Sequence, residues 1–512
     1  LQMGEDISSS SPSSLWSLRS IRLRIAVILA LALTIEGLMR SNLNMAYVCM
    51  VEEIDSIRPV TPLPSQSEDC PLLTFASNST DKRVHYRDPL KWRSRDRAYL
   101  FPMFYMGGLA VTFVSEYLDR KLGASRTVLY GAILNVVGTT SSPSIASNLG
   151  PIPLTIVRFI MGAGQGVLWP GMSVLIARWF PVVEKSTALA IATTGNQLSV
   201  IFAMTATAEL CQIESLGGWP ATFYIYGVLG VFLCLIWWAF VVDSPEECHS
   251  LSTEERNLLV RPGIRRPNGK KTSPRWSVII CSSVVWSISL SAFCHNFVVV
   301  AFSSYLPFYY KTVHNMSLTS NGLLSTLPFV VQFLSKVVFA GFADKAKQNK
   351  WMTVTTITKI CNSSASLGIA VSLVVMSFCD CSYRWTAVVA ASTAMAFISG
   401  YVPGYNTSVV CVAPSQTAAI SSFSRFWAQI GMSLSPMLIG IVVTTGRVEE
   451  WRWIFFGMAA LCIVTGVFFQ ICGSASIQPW NEANPAGTKE KLLVDSPMSI
   501  EKKEEMNRIE TA

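Results

Sequence analysis

Two ionisable side chains lie four residues apart in an apolar stretch near the start of the chain. Glu36 and Arg40 stand among Leu, Ile, Ala and Met residues, and a spacing of four places them on the same face of a helix. A guanidinium binds carboxylates and phosphates through a planar, two-point contact. Either Glu36 neutralises Arg40 until an anionic ligand competes for it, or the two residues form a structural ion pair.

A second arginine stands without an acidic neighbour in its apolar stretch. Arg158 precedes Gly162 by about one helical turn. We expect its guanidinium to bind an anion. The alternative is that its long side chain extends to a nearby polar surface.

Three more basic residues interrupt apolar stretches in the second half of the chain. His295 can change its charge near neutral pH, so it either contacts an anion or is simply a hydrogen-bonded histidine. Arg425 adds a fixed positive charge and is predicted to make the interior attractive to anions. Lys336 lies about eight residues before the end of its stretch, where extension to the surface is the favoured interpretation.

Acidic and basic residues are adjacent at two corresponding places where apolar stretches end. Asp119 and Arg120 end one stretch, and Asp344 and Lys345 end another. Charges at such positions can pair with the termini of neighbouring helices. We predict that these four residues act as gates rather than as ligands.

The elements that carry these residues are long enough to cross a lipid bilayer. The 512 residues are 51% hydrophobic and 14% charged, with a mean hydropathy of +0.41, whereas soluble chains carry about 25% charged residues. Crossing the hydrocarbon layer takes about 20 apolar residues. The sequence predicts an all-α integral membrane protein with twelve spans, at 24–48, 97–118, 127–148, 152–177, 187–210, 220–241, 278–308, 321–343, 352–377, 385–410, 417–444 and 452–472.

The basic residues in the short loops predict the orientation of these spans. With a cytoplasmic N-terminus, more Lys and Arg lie in the inside loops than in the outside loops, as the positive-inside rule requires. The C-terminus is then cytoplasmic as well. Two sequons, at Asn78 and Asn315, fall in outside loops and are predicted glycosylation sites.

The halves of the chain resemble each other in sequence. Asp119 and Asp344 occupy corresponding positions, and Ser186-Thr187-Ala188 corresponds to Gln416-Thr417-Ala418. Such repeats surround a midplane site in secondary transporters. The predicted regions are a cytoplasmic tail (1–23), a six-helix bundle (24–241, with a long outside loop at about 49–96), a cytoplasmic loop (242–276), a second six-helix bundle (277–472) and a disordered cytoplasmic tail (473–512).

Several classes of function are excluded by the same composition. The net charge of +8 comes from short loops rather than from one basic face, which argues against nucleic acid binding. The thirteen cysteines show no metal-ligand spacing, so we expect them to serve in packing. The spans contain no nucleophile with a base, no pair of acid and base and no metal ligands, so an enzyme is not expected.

Several motifs follow one another in a fixed order along most of the chain. They are Arg40-Ser-Asn-Leu-Asn-Met-Ala46, Arg158 with Gly162 and Gln165-Gly166, Trp179-Phe-Pro181, Glu184-Lys-Ser186, Gly218-Trp-Pro220, Asp243-Ser-Pro245 and Ser435-Pro436. In this order they resemble the anion and cation symporters of the major facilitator superfamily. That family includes vesicular glutamate transporters, sialin and type I sodium and phosphate cotransporters.

The resemblance implies the major facilitator fold, with 12 transmembrane helices in two pseudo-symmetric six-helix bundles. It also implies that Arg40 and Arg158 face a central cavity and recognise anions. His295 falls where some relatives carry arginine. Gln165 stands where sialin and the vesicular glutamate transporters have a glutamate linked to proton coupling, and in this it resembles the phosphate and urate branch.

The predicted tenth and eleventh spans depart from the family pattern. Ser408-Val-Val-Cys411 stands in place of an Asn-His-x-Asp motif, and Arg425 replaces a residue that is usually asparagine. The binding site is therefore expected to be more basic than in the relatives.

Together the residues and the resemblance predict a transporter of small organic anions or inorganic phosphate. It would work by alternating access, driven by sodium, by protons or by the membrane potential, without another cofactor. The alternative is a non-transporting membrane sensor or scaffold with the same fold. We expect a monomer whose partners are an anionic solute and the bilayer, in the plasma membrane or in a vesicle or lysosome membrane.

Overall fold

The computed structural model describes residues 20–53, 90–180, 185–248, 276–413 and 416–481, which are largely helical. The predicted glycosylation site Asn78, most of the central loop and most of the C-terminal tail lie outside these ranges. The helices of the first half are α1 (Ile21–Met50), α2 (Ser94–Leu122), α3 (Ala124–Asn148), α4 (Pro151–Gly166), α5 (Leu168–Trp179), α6 (Lys185–Leu210) and α7 (Trp219–Phe240), with short 3-10 turns at Glu214–Leu216 and Pro245–Glu247.

The second half begins with the short helix α8. Its elements are α8 (Trp276–Cys281), α9 (Ser283–Thr312), α10 (Leu318–Gln348), α11 (Val354–Ser377), α12 (Arg384–Ile398), α13 (Thr407–Cys411), α14 (Thr417–Val442) and α15 (Val448–Cys472), with 3-10 turns at Cys381–Tyr383, Ser399–Tyr401 and Pro479–Asn481. A π-helical segment, Val402–Asn406, joins α12 to α13, and Gly404 in it leaves helical geometry with ψ −120°.

Every predicted span overlaps helix in the described part of the chain. Three spans are interrupted: the fourth at Val167, between α4 and α5, the seventh at Ser282, between α8 and α9, and the tenth by the π-helical segment. Among the described residues, seven helices are long and apolar enough to cross a membrane by length and composition. The number of twelve spans therefore stays a prediction.

Close packing of α2 against α4 depends on glycine. A Cβ atom on Gly162 would lie 1.7 Å from the carbonyl oxygen of Phe104, and one on Gly107 would lie 2.0 Å from that of Phe159. Only glycine allows backbones to approach this closely. The two helices are therefore in direct backbone contact at these glycines.

The helices form two groups that correspond to the two halves of the sequence. In the first half α1 packs against α6 and α7, and α2 packs against α4. In the second half α9 packs against α14, and α11 packs against α12 and α15. The groups meet mainly through α2 with α14, α6 with α10, and α1 with α9.

One side of the molecule is closed by contacts between the halves. We call it the outer side, following the predicted topology; it is the side where α1 ends and α2 begins. Two short parallel strands, β1 (Val51–Glu53) and β2 (Leu90–Trp92), lie here. A disulfide between Cys49 and Cys211 joins the end of α1 to the end of α6, so the expectation that the cysteines serve only in packing was wrong for this pair.

Candidate functional site

A cavity of about 400 Å³ lies between the two halves and extends from the middle of α1 toward the inner side. Its wall is formed by α1, α2, α4, α5, α9, the π-helical segment, α13 and α14. Arg40, His295 and Arg425 line it together with the amides of Gln165, Asn296, Asn406 and Gln429 and the hydroxyls of Thr112, Ser421 and Ser424. The described lining contains no Asp or Glu, so the cavity is basic.

Arg40 reaches the cavity from the middle of α1, whereas Glu36 does not line it. Only 3% of Glu36 is exposed, and its two carboxyl oxygens accept no hydrogen bond from a described residue. The two side chains interact electrostatically, but they do not approach within ion-pairing distance in the described structure. The Arg40 guanidinium thus keeps its donors for another partner.

His295 is fixed by two tyrosines of the second half. Its Nδ1 lies 2.9 Å from the hydroxyl of Tyr405, and its ring stacks on Tyr401 at 5.2 Å between centroids. Tyr405 belongs to the π-helical segment, so the irregular part of the tenth span holds the histidine at the cavity wall. His295 is partly buried and lines the cavity.

Arg425 contacts the opposite half of the molecule. Its guanidinium lies over the ring of Trp169 on α5, 5.3 Å from the centroid, in a cation–π contact. One turn along α14, Gln429 donates its Nε2 to the backbone oxygen of Tyr105 at 3.0 Å. A ligand that binds Arg425 therefore competes with a contact between the halves.

Arg158 lies behind the cavity wall rather than in it. Its Nη2 donates to the backbone oxygen of Arg40 at 3.2 Å, and its guanidinium sits 4.7 Å from the ring centroid of Phe104. Phe104 lines the cavity and thereby separates Arg158 from it. The structure brings Arg40, His295 and Arg425 to one cavity and places Arg158 one side chain further away.

The predicted gate residues lie at the inner ends of their helices. Asp119 is buried and packs beside Gly171 of its own half. Asp344 pairs with Lys347 of the same helix at 3.7 Å, and Lys345 is exposed. The side chain of Arg120 lies outside the described part of the structure.

Three polar contacts close the outer side between the halves. Arg97 Nη2 donates to the backbone oxygen of Val443 at 2.6 Å, and Lys311 Nζ donates to that of Val48 at 2.7 Å. Gln212 Nε2 also donates to the hydroxyl of Thr319, at 2.9 Å. The cavity is thus closed toward the outer side.

Of the two predicted glycosylation sites, Asn315 lies in the described part of the chain. Asn315 is exposed in the loop between α9 and α10, with a positive φ of 48°. The described residues contain no group of three His, Cys, Asp or Glu side chains that could hold a metal ion.

Several residues of the site were not found from the sequence. Trp169, Phe104 and Tyr405 each hold a basic side chain in place, but neutral aromatic residues are common in membrane helices and carry no signal by themselves. Arg97 could have been found, because it is an arginine at the start of a predicted span.

Comparison with known proteins agrees with this architecture. Residues 29–363 match the Major Facilitator Superfamily. Among solved structures, a bacterial homolog of the human lysosomal transporter Spinster, inward-facing and unoccupied, matches with a TM-score of 0.64 at 13% identity, covering 92% of this chain and 100% of that one. The D-xylose–proton symporter matches with a TM-score of 0.63 at 12% identity, covering 89% and 98%. These structures share the fold.

Relatives in sequence extend over nearly the whole chain. The uncharacterized transporter slc-17.3 of Caenorhabditis elegans is 28% identical over 469 residues, 90% of this chain and 86% of the relative. Human sialin is 25% identical over 90% of this chain and 91% of its own length, and mouse sodium-dependent phosphate transport protein 3 is 25% identical over 90% and 95%. The chain therefore belongs to the Major Facilitator Superfamily and, within it, to the anion and cation symporter family, so it is a multi-pass membrane transporter and not an enzyme.

Proposed function

We propose that this protein carries small organic anions or inorganic phosphate across a membrane. The basic cavity carries this proposal: Arg40, His295 and Arg425 line it without a carboxylate among the described lining residues. A positive interior in a medium of low dielectric constant attracts anions and excludes cations. The name of the sodium-dependent phosphate transport protein among the relatives supports the same class of substrate.

Transport follows alternating access between the two halves. The contacts of Arg97 and Lys311 close the outer side, while the cavity extends toward the inner side. A rocking motion of one half against the other would reverse this arrangement. Asp119, Arg120, Asp344 and Lys345 stand at the inner helix ends, where they would close the cavity in the opposite state.

The coupling ion is proposed to be sodium or a proton, with Glu36 as the residue that responds to it. Its buried carboxyl group beside Arg40 can change the charge of the site when it binds a cation. Arg158 is proposed to reach the substrate when Phe104 moves.

The protein is proposed to lie in the plasma membrane or in a vesicle or lysosome membrane, with both termini in the cytoplasm. Asn78 and Asn315 are proposed to be glycosylated on the opposite side of the membrane.

Uptake into proteoliposomes tests the proposed function. Labelled phosphate, urate, glutamate and an aryl carboxylate are offered under separate sodium, proton and voltage gradients. Arg40→Gln and Arg425→Gln should each lower kcat/KM by roughly 10- to 100-fold, because a hydrogen bond to a charged group contributes about 1.5–3 kcal/mol. The exposed Arg126 provides the matched control, Arg126→Gln.

The outcomes separate the two functions that the sequence allows. Uptake of an anion that both cavity variants reduce and the control retains supports a carrier. Binding of these anions without uptake under any gradient would favour the sensor, and no binding of any anion would contradict the proposal.

A further inference from the structure

Ring side chains form a large part of the cavity wall, beside the basic residues. Five rings line the cavity: Phe104 and Tyr105 of α2, Trp169 of α5, His295 of α9 and Tyr405 of the π-helical segment. They come from both halves of the molecule. Pockets of about 300–1,000 Å³ with mainly apolar and aromatic walls and a few polar groups bind organic ligands. The volume of about 400 Å³ lies in this range.

Several polar groups of the wall already have partners within the protein. The hydroxyl of Thr112 and the amide of Asn296 donate to backbone oxygens of their own helices, at 2.9 and 2.8 Å. The amide of Gln429 donates to the other half at 3.0 Å. The strongest donors left for a ligand are the guanidinium groups of Arg40 and Arg425, because they are charged. The wall therefore fits an anion whose charge lies at one end and whose body is apolar.

Trp169 makes a contact that such an anion can replace. Its ring is half-buried at the cavity wall, and the guanidinium of Arg425 lies 5.3 Å from its centroid. This distance is similar to the separation of about 4.5–7 Å between the centroids of packed aromatic rings. An anionic group joined directly to a ring can therefore bind Arg425 while its ring packs on the face of Trp169 that Arg425 covers.

We propose that the transported anion carries an aromatic ring and that Trp169 binds this ring. The inference rests on the proposed function and specifies its substrate class as aryl anions. The anionic group binds Arg425, and the ring takes the place of the guanidinium on Trp169. Trp169 belongs to the first half and Arg425 to the second. The ligand thus replaces a contact between the halves with one of its own.

A matched pair of carboxylates tests the need for the ring. Binding of benzoate and of cyclohexanecarboxylate to the purified full chain is measured by calorimetry at pH 7.5. The two ligands have the same charge and nearly the same size, but only benzoate is flat and aromatic. We expect benzoate to bind about 3- to 10-fold more tightly, because packed aromatic rings gain free energy beyond the area that they bury.

Variants of Trp169 test its part in this preference. Trp169→Leu should reduce the preference for benzoate to less than about twofold, while Trp169→Phe should retain most of it, because it keeps an aromatic face. Trp453 on α15, which is 74% exposed, provides the control, since Trp453→Leu should leave the preference unchanged. The thermal midpoint of each variant, measured in parallel, shows whether it is folded.

The outcomes decide between the inference and the function on which it rests. Equal binding of the two carboxylates, no binding of either, or an unchanged preference in Trp169→Leu would each overturn the inference. If phosphate or glutamate is then still taken up by proteoliposomes, and Arg425→Gln reduces this uptake, the proposed anion transport stands without it. Absence of uptake for all anions would overturn both.

Discussion

At the scale of single residues, the site consists of basic side chains held by neutral neighbours. Arg425 lies on Trp169, His295 bonds to Tyr405, and Arg158 lies on Phe104. The basic residues themselves could be predicted from the sequence, because a charge within an apolar stretch is rare and functional. Their aromatic neighbours could not, since these contacts join residues of distant helices.

Glu36 is predicted to control the use of the driving gradient. Glu36→Gln keeps the shape of the side chain but removes its charge, so Arg40 attracts anions without competition. We expect severalfold tighter anion binding, with loss of the stimulation of uptake by a sodium or proton gradient. The exposed Glu209 gives the control Glu209→Gln. Stimulation of Glu36→Gln equal to that of the wild type would contradict the proposed role.

His314, in the loop between α9 and α10, is predicted to make stability depend on pH. It is fully buried, and burial, together with the nearby Arg384, lowers the pKa of His314 to about 4, although Asp380 acts in the opposite direction. In the unfolded chain histidine has a pKa of about 6.5. The unfolded state therefore binds more protons between these values, and stability falls as the pH falls from about 6.5 to 4.

The thermal midpoint of the solubilised protein measures this effect. The pKa difference corresponds to about 3 kcal/mol of stability above pH 6.5, lost progressively on acidification. His314→Gln should flatten the dependence of Tm on pH in this window. A wild-type Tm that stays constant from pH 6.5 to 4 would show that burial does not exclude the proton.

At the scale of helices, the sequence predicts where elements begin and end better than where they bend. Apolar length sets the spans, and α11 and α15 end at the predicted residues 377 and 472. The break at Val167 and the π-helical segment at 402–406 were missed. These irregularities depend on packing against neighbouring helices, which leaves no periodic signal in one sequence.

Gly162 is predicted to be the most sensitive position in the contact between α2 and α4. In Gly162→Ala the new Cβ would lie 1.7 Å from the backbone oxygen of Phe104, so the two helices must separate. We expect a loss of about 1–3 kcal/mol of stability, measured as a lower Tm. Gly457 on α15, where a Cβ meets nothing within 4 Å, is the control. Equal Tm values for Gly162→Ala and Gly457→Ala would show that the helices readily adjust.

At the scale of the whole molecule, two of the three polar contacts that close the outer side form a reciprocal pair. Arg97 of the first half donates to Val443, at the end of α14, and Lys311 of the second half donates to Val48, near the end of α1. Each half thus supplies a cation to the carbonyl end of a helix of the other half, where the helix dipole favours positive charge. Arg97 also lies 3.7 Å from the ring centroid of Phe308.

Removing these contacts is predicted to shift the protein toward a state that opens on the outer side. A hydrogen bond to a charged group contributes about 1.5–3 kcal/mol, so Arg97→Met or Lys311→Met should raise the outward-open population by roughly 10- to 100-fold.

Val300, buried between the halves beside Phe104 and Tyr105, reports this opening. In Val300→Cys, an impermeant thiol reagent added outside should modify position 300 faster when either cation is absent. Lys91→Met, an exposed change on the same side, should not accelerate the modification. Unchanged rates in both Arg97→Met and Lys311→Met would mean that the other contacts, which include apolar packing and the hydrogen bond from Gln212 to Thr319, keep the outer side closed.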